Sequence, residues 1–230
     1  MKNKLALFDI DGILIIGRNE VHRQSFSVAI KKVFALDTNV NEIQTSGKTD
    51  TKIIFELLER KGIRPEQARP KLKEIFNFMI EFVEKNIDSS NISPNPGVFE
   101  LLEELRSRGY ILGLITGNVE NIAKIKLKAL NLLQYFQVGG FGDMSEIREK
   151  LLERAIGEAE GKFDLRFDKK DVFYFGDAPL DIECGKNVGV TTIAVSTGVH
   201  SKEELSKHTP DYLYKDFSDI DSIVKAIEQT

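Results

Sequence analysis

The chain has 230 residues, 41% hydrophobic and 30% charged, with a formal net charge of −4, the make-up of a globular protein with an ordinary core. Without a basic excess it excludes nucleic acid as its main partner, so an anionic substrate must be attracted by a metal or a few placed cations. A single cysteine, Cys184, excludes intrachain disulfides and thiolate zinc clusters; with no apolar run of roughly 18 residues and no signal-peptide pattern after Met1, the expectation is a cytoplasmic protein without a membrane segment.

Leu5-Ala6-Leu7-Phe8 predicts a strand buried on both faces, as in the middle of a parallel sheet. Asp9-Ile10-Asp11-Gly12 follows, two carboxylates one residue apart and then a glycine for a sharp turn. Two anions this close are costly unless a cation or a proton separates their roles. The pair points to a metal site that divides labour between a nucleophile and an acid/base. Taken alone, the motif also reads as a solvated strand end with an Asp-Gly turn.

Residues 21–34 mix apolar and basic residues in a helical pattern. After Ser46-Gly47, Thr49 or Asp50 caps a helix carrying Ile53, Ile54, Leu57 and Leu58. Pro65-Glu66 opens another, with Leu72, Ile75, Phe76, Met79, Ile80 and Val83 at helical spacing. Residues 15–91 thus read as an all-helical block, closed by the turn formers between Ser89 and Gly97.

Beyond the linker, strands and helices alternate. Strands are expected at 110–115, 136–139, 172–175, 191–195 and 212–214, and helices at 98–106, 119–130, 146–160, 180–188, 202–207 and 220–227. The fold class is therefore α/β, a doubly wound parallel sheet of residues 1–14 and 92–230 with an inserted all-α cap at 15–91. In such sheets ligands bind beyond the carboxyl ends of the strands. Three strands end there in small or acidic polar groups: Asp9 and Asp11, then Thr116-Gly117-Asn118, then Gly176-Asp177 with Asp181 four residues on.

These residues resemble the motifs of the haloacid dehalogenase-like superfamily, in its phosphatase branch. Asp9-Ile10-Asp11-Gly12 is similar to the family's first motif, Thr116 with Gly117-Asn118 to the second, and Gly176-Asp177-Ala178-Pro179-Leu180-Asp181 to the fourth. The helical block stands where the family inserts its cap. No Lys-Pro marks the third motif; Arg148 is the best candidate for its cation, with Lys150 competing, and each also reads as a solvated charge on a first helical turn.

The resemblance implies a phosphatase of a small phosphorylated metabolite that uses Mg²⁺. It makes Asp9 the nucleophile and Asp11 the acid/base. Asp9, the backbone carbonyl of Asp11 and Asp177 hold the metal, and Asp181 orients the ligands. Thr116 and the amides of Gly117 and Asn118 bind phosphoryl oxygens, and Arg148 or Lys150 offsets charge. Gly47-Lys48-Thr49-Asp50 resembles a cap segment of phosphoglycolate phosphatases, so Lys48 is expected to meet a substrate anion or else to be an exposed lysine. Arg18 and His22 are weaker candidates near the hinge, and His200 and His208 read as surface residues. The chain is expected to act as a monomer or homodimer. Two alternatives remain at this stage, a phosphosugar mutase of the β-phosphoglucomutase type and a non-catalytic phosphate-binding regulator.

Overall fold

The structure, a computed structural model, describes residues 4–17, 19–88 and 90–229; Arg18 lies outside them. The first strand, β1 (Leu5–Phe8), is buried along its whole length and ends at Asp9. A two-residue strand β2 (Ile15–Ile16) leads into helices α1 (Glu20–Phe34), α2 (Asp50–Glu59), α3 (Pro65–Ala68) and α4 (Leu72–Asn86). Asn19 caps α1 by accepting from the His22 amide, and Thr49 caps α2 by accepting from the Lys52 amide. The helix expected from Pro65 onward is broken into α3, a 3-10 turn at Arg69–Lys71 and α4, because Pro70 has no amide proton to extend the ladder.

The linker after α4 is not purely a turn. Its strand β3 (Ser93–Pro94) pairs antiparallel with β2, and buried Asn95 donates to the Ile13 carbonyl at 3.1 Å. Entry to and exit from the helical insertion are thereby tied together.

The rest of the chain alternates as the pattern predicts: α5 (Val98–Ser107), β4 (Ile111–Ile115), α6 (Glu120–Ala129), β5 (Val138–Gly140), α7 (Arg148–Phe163), β6 (Val172–Gly176), α8 (Pro179–Val188), β7 (Thr191–Val195), α9 (Lys202–Ser206), β8 (Tyr212–Tyr214) and α10 (Ile220–Gln229). The six long-range strands form one parallel sheet in the order β5-β4-β1-β6-β7-β8. The strand expected at 136–139 is β5, shifted to include Gly140. A side chain on Gly140 would collide with the Leu151 carbonyl of α7, which explains the residue.

Alternation along the strands sorts the core into two faces. Ala6 and Phe8 pack with Phe173, Phe175 and helices α5, α6 and α10, whereas Leu5 and Leu7 pack with Tyr174, Cys184 and helix α7. A third apolar cluster joins α1, α2 and α4 and includes Val119 and Ile122 from the start of α6, so the insertion shares its core with that helix. Cys184 is a buried helix residue whose thiol burial pushes up to about 12. No helix among the described residues is long and apolar enough to cross a membrane.

Candidate active site

Register assembles the site. Phe8 stands level with Leu114 on one side and Phe175 on the other, so the residues that follow each strand emerge on one rim. Asp9 follows β1, Thr116-Gly117-Asn118 follow β4, and Asp177 follows β6. Gly12 turns the chain at φ +89, and a side chain there would run into the Asp177 carboxylate. Between this rim and the insertion lies a cavity of about 350 Å³, lined by Asp9, Asp11, Gly117, Asn118, Arg148 and Asp177 below and by His22, Arg23, Lys48 and Asp50 above.

Three carboxylates, Asp9, Asp177 and Asp181, present oxygens within 4.8 Å of one another, all buried. Arg148 is the cation among them. Its Nη2 lies 2.7 Å from Asp9 Oδ2 and 2.7 Å from Asp181 Oδ1, and its Nε donates to the Tyr174 hydroxyl at 2.9 Å. Nη1 donates to the Gly47 carbonyl of the insertion. Lys150, two residues on, faces solvent on α7 and does not line the cavity, because one helical turn cannot point both side chains the same way.

Asp9 is held at both oxygens, by the Ile10 amide (2.7 Å) and by Arg148. Asp181 is fully engaged. Oδ2 accepts from the amides of Asp177 and Ala178, and Oδ1 accepts from Arg148 and from the Tyr174 hydroxyl (2.9 Å). It fixes the turn that carries Asp177, and its lone pairs are spent on four donors.

Asp11 points away from the acidic cluster. Both of its oxygens accept from Lys126, at 2.9 and 2.7 Å, and Oδ2 also accepts from Asn118 Nδ2 at 2.8 Å. Thr116 is fully buried, with its hydroxyl accepting from the Asn118 amide and side chain, so Gly117 and Asn118 are the groups of this loop that reach the cavity. Lys48 lines the cavity, but its ammonium is already paired with Glu56 at 2.6 Å. Loop and insertion meet without a gap: the Asp50 amide donates to the Gly117 carbonyl at 2.7 Å, and a side chain on Gly117 would strike the Lys48 carbonyl.

Charge bookkeeping defines what the site lacks. Asp11 and Lys126 cancel, while three buried carboxylates face one guanidinium, leaving two negative charges. Burial pushes Asp9 up to about 7 against the pull of Arg148, with Asp181 adding to the rise. Burial, Asp181 and Asp9 likewise hold the Asp177 carboxyl well above the usual carboxylate range. Burial raises Asp11 too, but the charge and hydrogen bonds of Lys126, together with His22 and the hydrogen bond from Asn118, outweigh it and leave this carboxyl below its ordinary value. An all-oxygen donor set with a deficit of two positive charges fits a hard divalent cation such as Mg²⁺.

A test follows from the sign of these shifts. Between pH about 4 and about 7 the native state retains a proton on Asp9 that the unfolded chain has lost, so stability falls as pH rises through that window. The melting temperature in EDTA is expected to drop by on the order of 5–10 °C between pH 5 and 7.5, and saturating Mg²⁺ to remove the drop. A metal-free profile that is flat over this range contradicts the charge assignment.

Sequence reasoning missed Lys126, Tyr174 and the cavity-lining Thr197, whose hydroxyl donates to the Gly12 carbonyl at 2.5 Å. Lys126 was legible in principle. Val119, Ile122, Ala123, Lys126 and Leu127 form one helical stripe, and all are buried. The flanking Lys124 and Lys128 disguise it as part of a solvated face.

A family profile described as haloacid dehalogenase-like hydrolase matches residues 6–195. The chain belongs to this family. Among curated relatives, it is 24% identical over 99% of each chain to pyrophosphatase PpaX of Bacillus mycoides. It is also 26% identical, over 93% of each chain, to phosphoglycolate phosphatase of Synechococcus elongatus. The fold of this haloacid dehalogenase-like protein is shared with the crystal structure of β-phosphoglucomutase from Clostridium difficile (TM-score 0.72, 16% identity, 99% of this chain and 98% of that one). It is shared equally with that of a predicted phosphatase from Clostridium acetobutylicum (TM-score 0.70, 21% identity, all of both chains).

Proposed function

We propose that this member of the family is a Mg²⁺-dependent phosphatase that hydrolyses a small phosphorylated metabolite through an aspartyl-phosphate on Asp9. The observation that carries the reading is the buried cluster of Asp9, Asp177 and Asp181 facing one guanidinium at the end of the central strands. Its relatives named phosphatase and pyrophosphatase agree in chemistry. Asp9, Asp177 and the backbone carbonyl of Asp11 are the groups that would hold Mg²⁺, with Asp181 bracing the turn beneath them. The ion supplies the charge neutralisation that lets a carboxylate approach a phosphate dianion.

In the first step an Asp9 oxygen attacks phosphorus and the bond to the leaving oxygen breaks. Asp11, a carboxylate beside Lys126 in the resting protein, takes the proton that the phosphate monoanion brings in and passes it to that oxygen. In the second step Asp11 takes a proton from water as the water attacks phosphorus, which releases phosphate and restores Asp9. Gly117 lines the other side of the cavity, where its amide would meet the phosphoryl group, whereas the Asn118 amide, expected to share that role, is given to the Thr116 hydroxyl; Arg148 keeps Asp9 aimed. The insertion at 15–91 acts as the cap over the core of residues 1–14 and 92–230, sets which leaving group fits, and excludes bulk water. Phosphoglycolate is the nearest named substrate.

The test is release of inorganic phosphate from 4-nitrophenyl phosphate and from a set of phosphorylated metabolites. Turnover is expected with Mg²⁺ and at least about 10²-fold less in EDTA. Equal rates in EDTA overturn the metal assignment. Isomer formation from a hexose phosphate, dependent on a bisphosphate primer and with little net phosphate, would mark a phosphomutase instead.

A further inference from the structure

The buried cation beside Asp11 is unexplained by the mechanism above. Lys126 is wholly buried in α6, out of reach of any substrate, yet its ammonium is surrounded by acceptors from three other segments. Besides the two Asp11 oxygens it meets Asn118 Oδ1 at 2.5 Å and His22 Nδ1 at 3.1 Å. An ammonium only donates, so His22 accepts at Nδ1 and donates from Nε2 to Asp50 Oδ2, 3.0 Å away. The other donor to that Asp50 oxygen is the Val119 amide at 2.9 Å.

A continuous chain therefore runs Asp50–His22–Lys126–Asp11. Two of its members, His22 and Asp50, come from the insertion, and Lys126 and Asp11 come from the sheet unit. All are buried except Asp11, which presents its exposed edge to the cavity. Asn118 closes the ring: its oxygen accepts from Lys126, and its amide group donates to Asp11 and Thr116.

We propose that Lys126 is the positioning residue for Asp11, and that His22 and Asp50 lock Lys126 in place from the insertion. Lys126 fixes where the Asp11 carboxylate points and so the geometry in which Asp11 takes up a proton from the substrate's phosphate monoanion and passes it to the leaving oxygen. This rests on the acid role given to Asp11 above. A carboxylate gripped at both oxygens by one ammonium has a single orientation, whereas one on a free χ1 and χ2 does not. Lys126 itself makes no contact with the reacting atoms.

The experiment compares kcat/KM for phenyl phosphate, whose leaving oxygen needs a proton, with that for 4-nitrophenyl phosphate, whose phenolate leaves without one. Lys126→Met is expected to lose about 10²-fold more on phenyl phosphate than on 4-nitrophenyl phosphate. Asp11→Asn, the control for the acid role, is expected to show the same bias. Adding Lys126→Met to Asp11→Asn is expected to cost at most a few-fold more on either substrate. The double variant also removes both charges, so it decides the matter if the single variant does not fold. Equal losses of Lys126→Met on both substrates, or a further large loss in the double variant, overturn the proposal while leaving the acid role standing. If Asp11→Asn shows no bias, the acid role fails and the proposal with it.

Discussion

Asp9→Asn is expected to lower phosphate release by about 10⁴-fold or more and, in the same protein, to make the metal-free stability profile between pH 5 and 7.5 less steep, Asp177 supplying what slope remains. The two outcomes share one cause. In the proposed mechanism Asp9 is the oxygen donor that attacks phosphorus, and an amide oxygen is a far weaker nucleophile. It is also the carboxyl that burial pushes up to about 7, so its removal takes away the proton whose loss destabilises the native state. Asparagine retains the volume, and the remaining pair of carboxylates still faces Arg148. The variant should therefore fold, as circular dichroism and thermal melts can confirm. Activity within tenfold of wild type would remove Asp9 from the nucleophile's role. An unchanged pH slope in the inactive variant would locate the retained proton on Asp177 instead.

Arg148→Met is expected to give the largest loss of stability. Arg148 is 6% exposed, and its guanidinium serves Asp9, Asp181, Tyr174 and the Gly47 carbonyl at once. Removing it strands three carboxylates in a buried cluster, and breaking buried pairs of this kind costs about 3–5 kcal/mol. For a chain of this length that corresponds to a melting temperature lower by on the order of 10 °C. Mg²⁺ should recover part of it by supplying the missing charge. Activity should fall by about 10²–10³-fold, since Asp9 loses its orienting partner. Lysine at this position carries the charge without the fork, so Arg148→Lys should restore stability more than activity. Lys150→Met, on the exposed side of α7, is expected to change stability by no more than about 0.5 kcal/mol. A Lys150 variant as damaging as the Arg148 one would reverse the assignment between them.

What was legible in the sequence was whatever local chemistry announces. Apolar runs ending in Asp9, Thr116 and Asp177 marked three strand ends, and a strand's end is where an α/β sheet keeps its ligands. Three motifs on one rim follow from alternation alone, because parallel strands joined by helices all point the same way. The run of helices between β2 and β3 was legible from the change of rhythm at the Ser-Asn-Pro linker. The choice between Arg148 and Lys150 was not, since both sit on the first turn of one helix and only its rotation against β6 decides which faces Tyr174. The β2–β3 pair escaped for a similar reason, two residues being too few to show a period.

Lys126 illustrates the opposite failure. Its stripe with Ile122 and Ala123 is apolar but for the lysine, and a lysine between two lysines is by default solvated. Burial of an ammonium is tolerable only with partners that arrive from Asp11, His22 and Asn118, which lie elsewhere in the chain. Tyr174 is hidden in the same way within an apolar strand. Side chains whose meaning depends on distant partners carry no local signature.

The strand order has a consequence for biosynthesis. Of the six strands of this sheet β1 is translated before the others, yet it lies between β4 and β6, so its two flanking neighbours are made long after it. The mutually repelling carboxylates are therefore kept apart until Asp177 and Asp181 emerge, by which time the α7 segment bearing Arg148 has already been made. Like charges are brought together only once their counter-ion is in hand, and a nascent chain is spared the half-built, unbalanced rim.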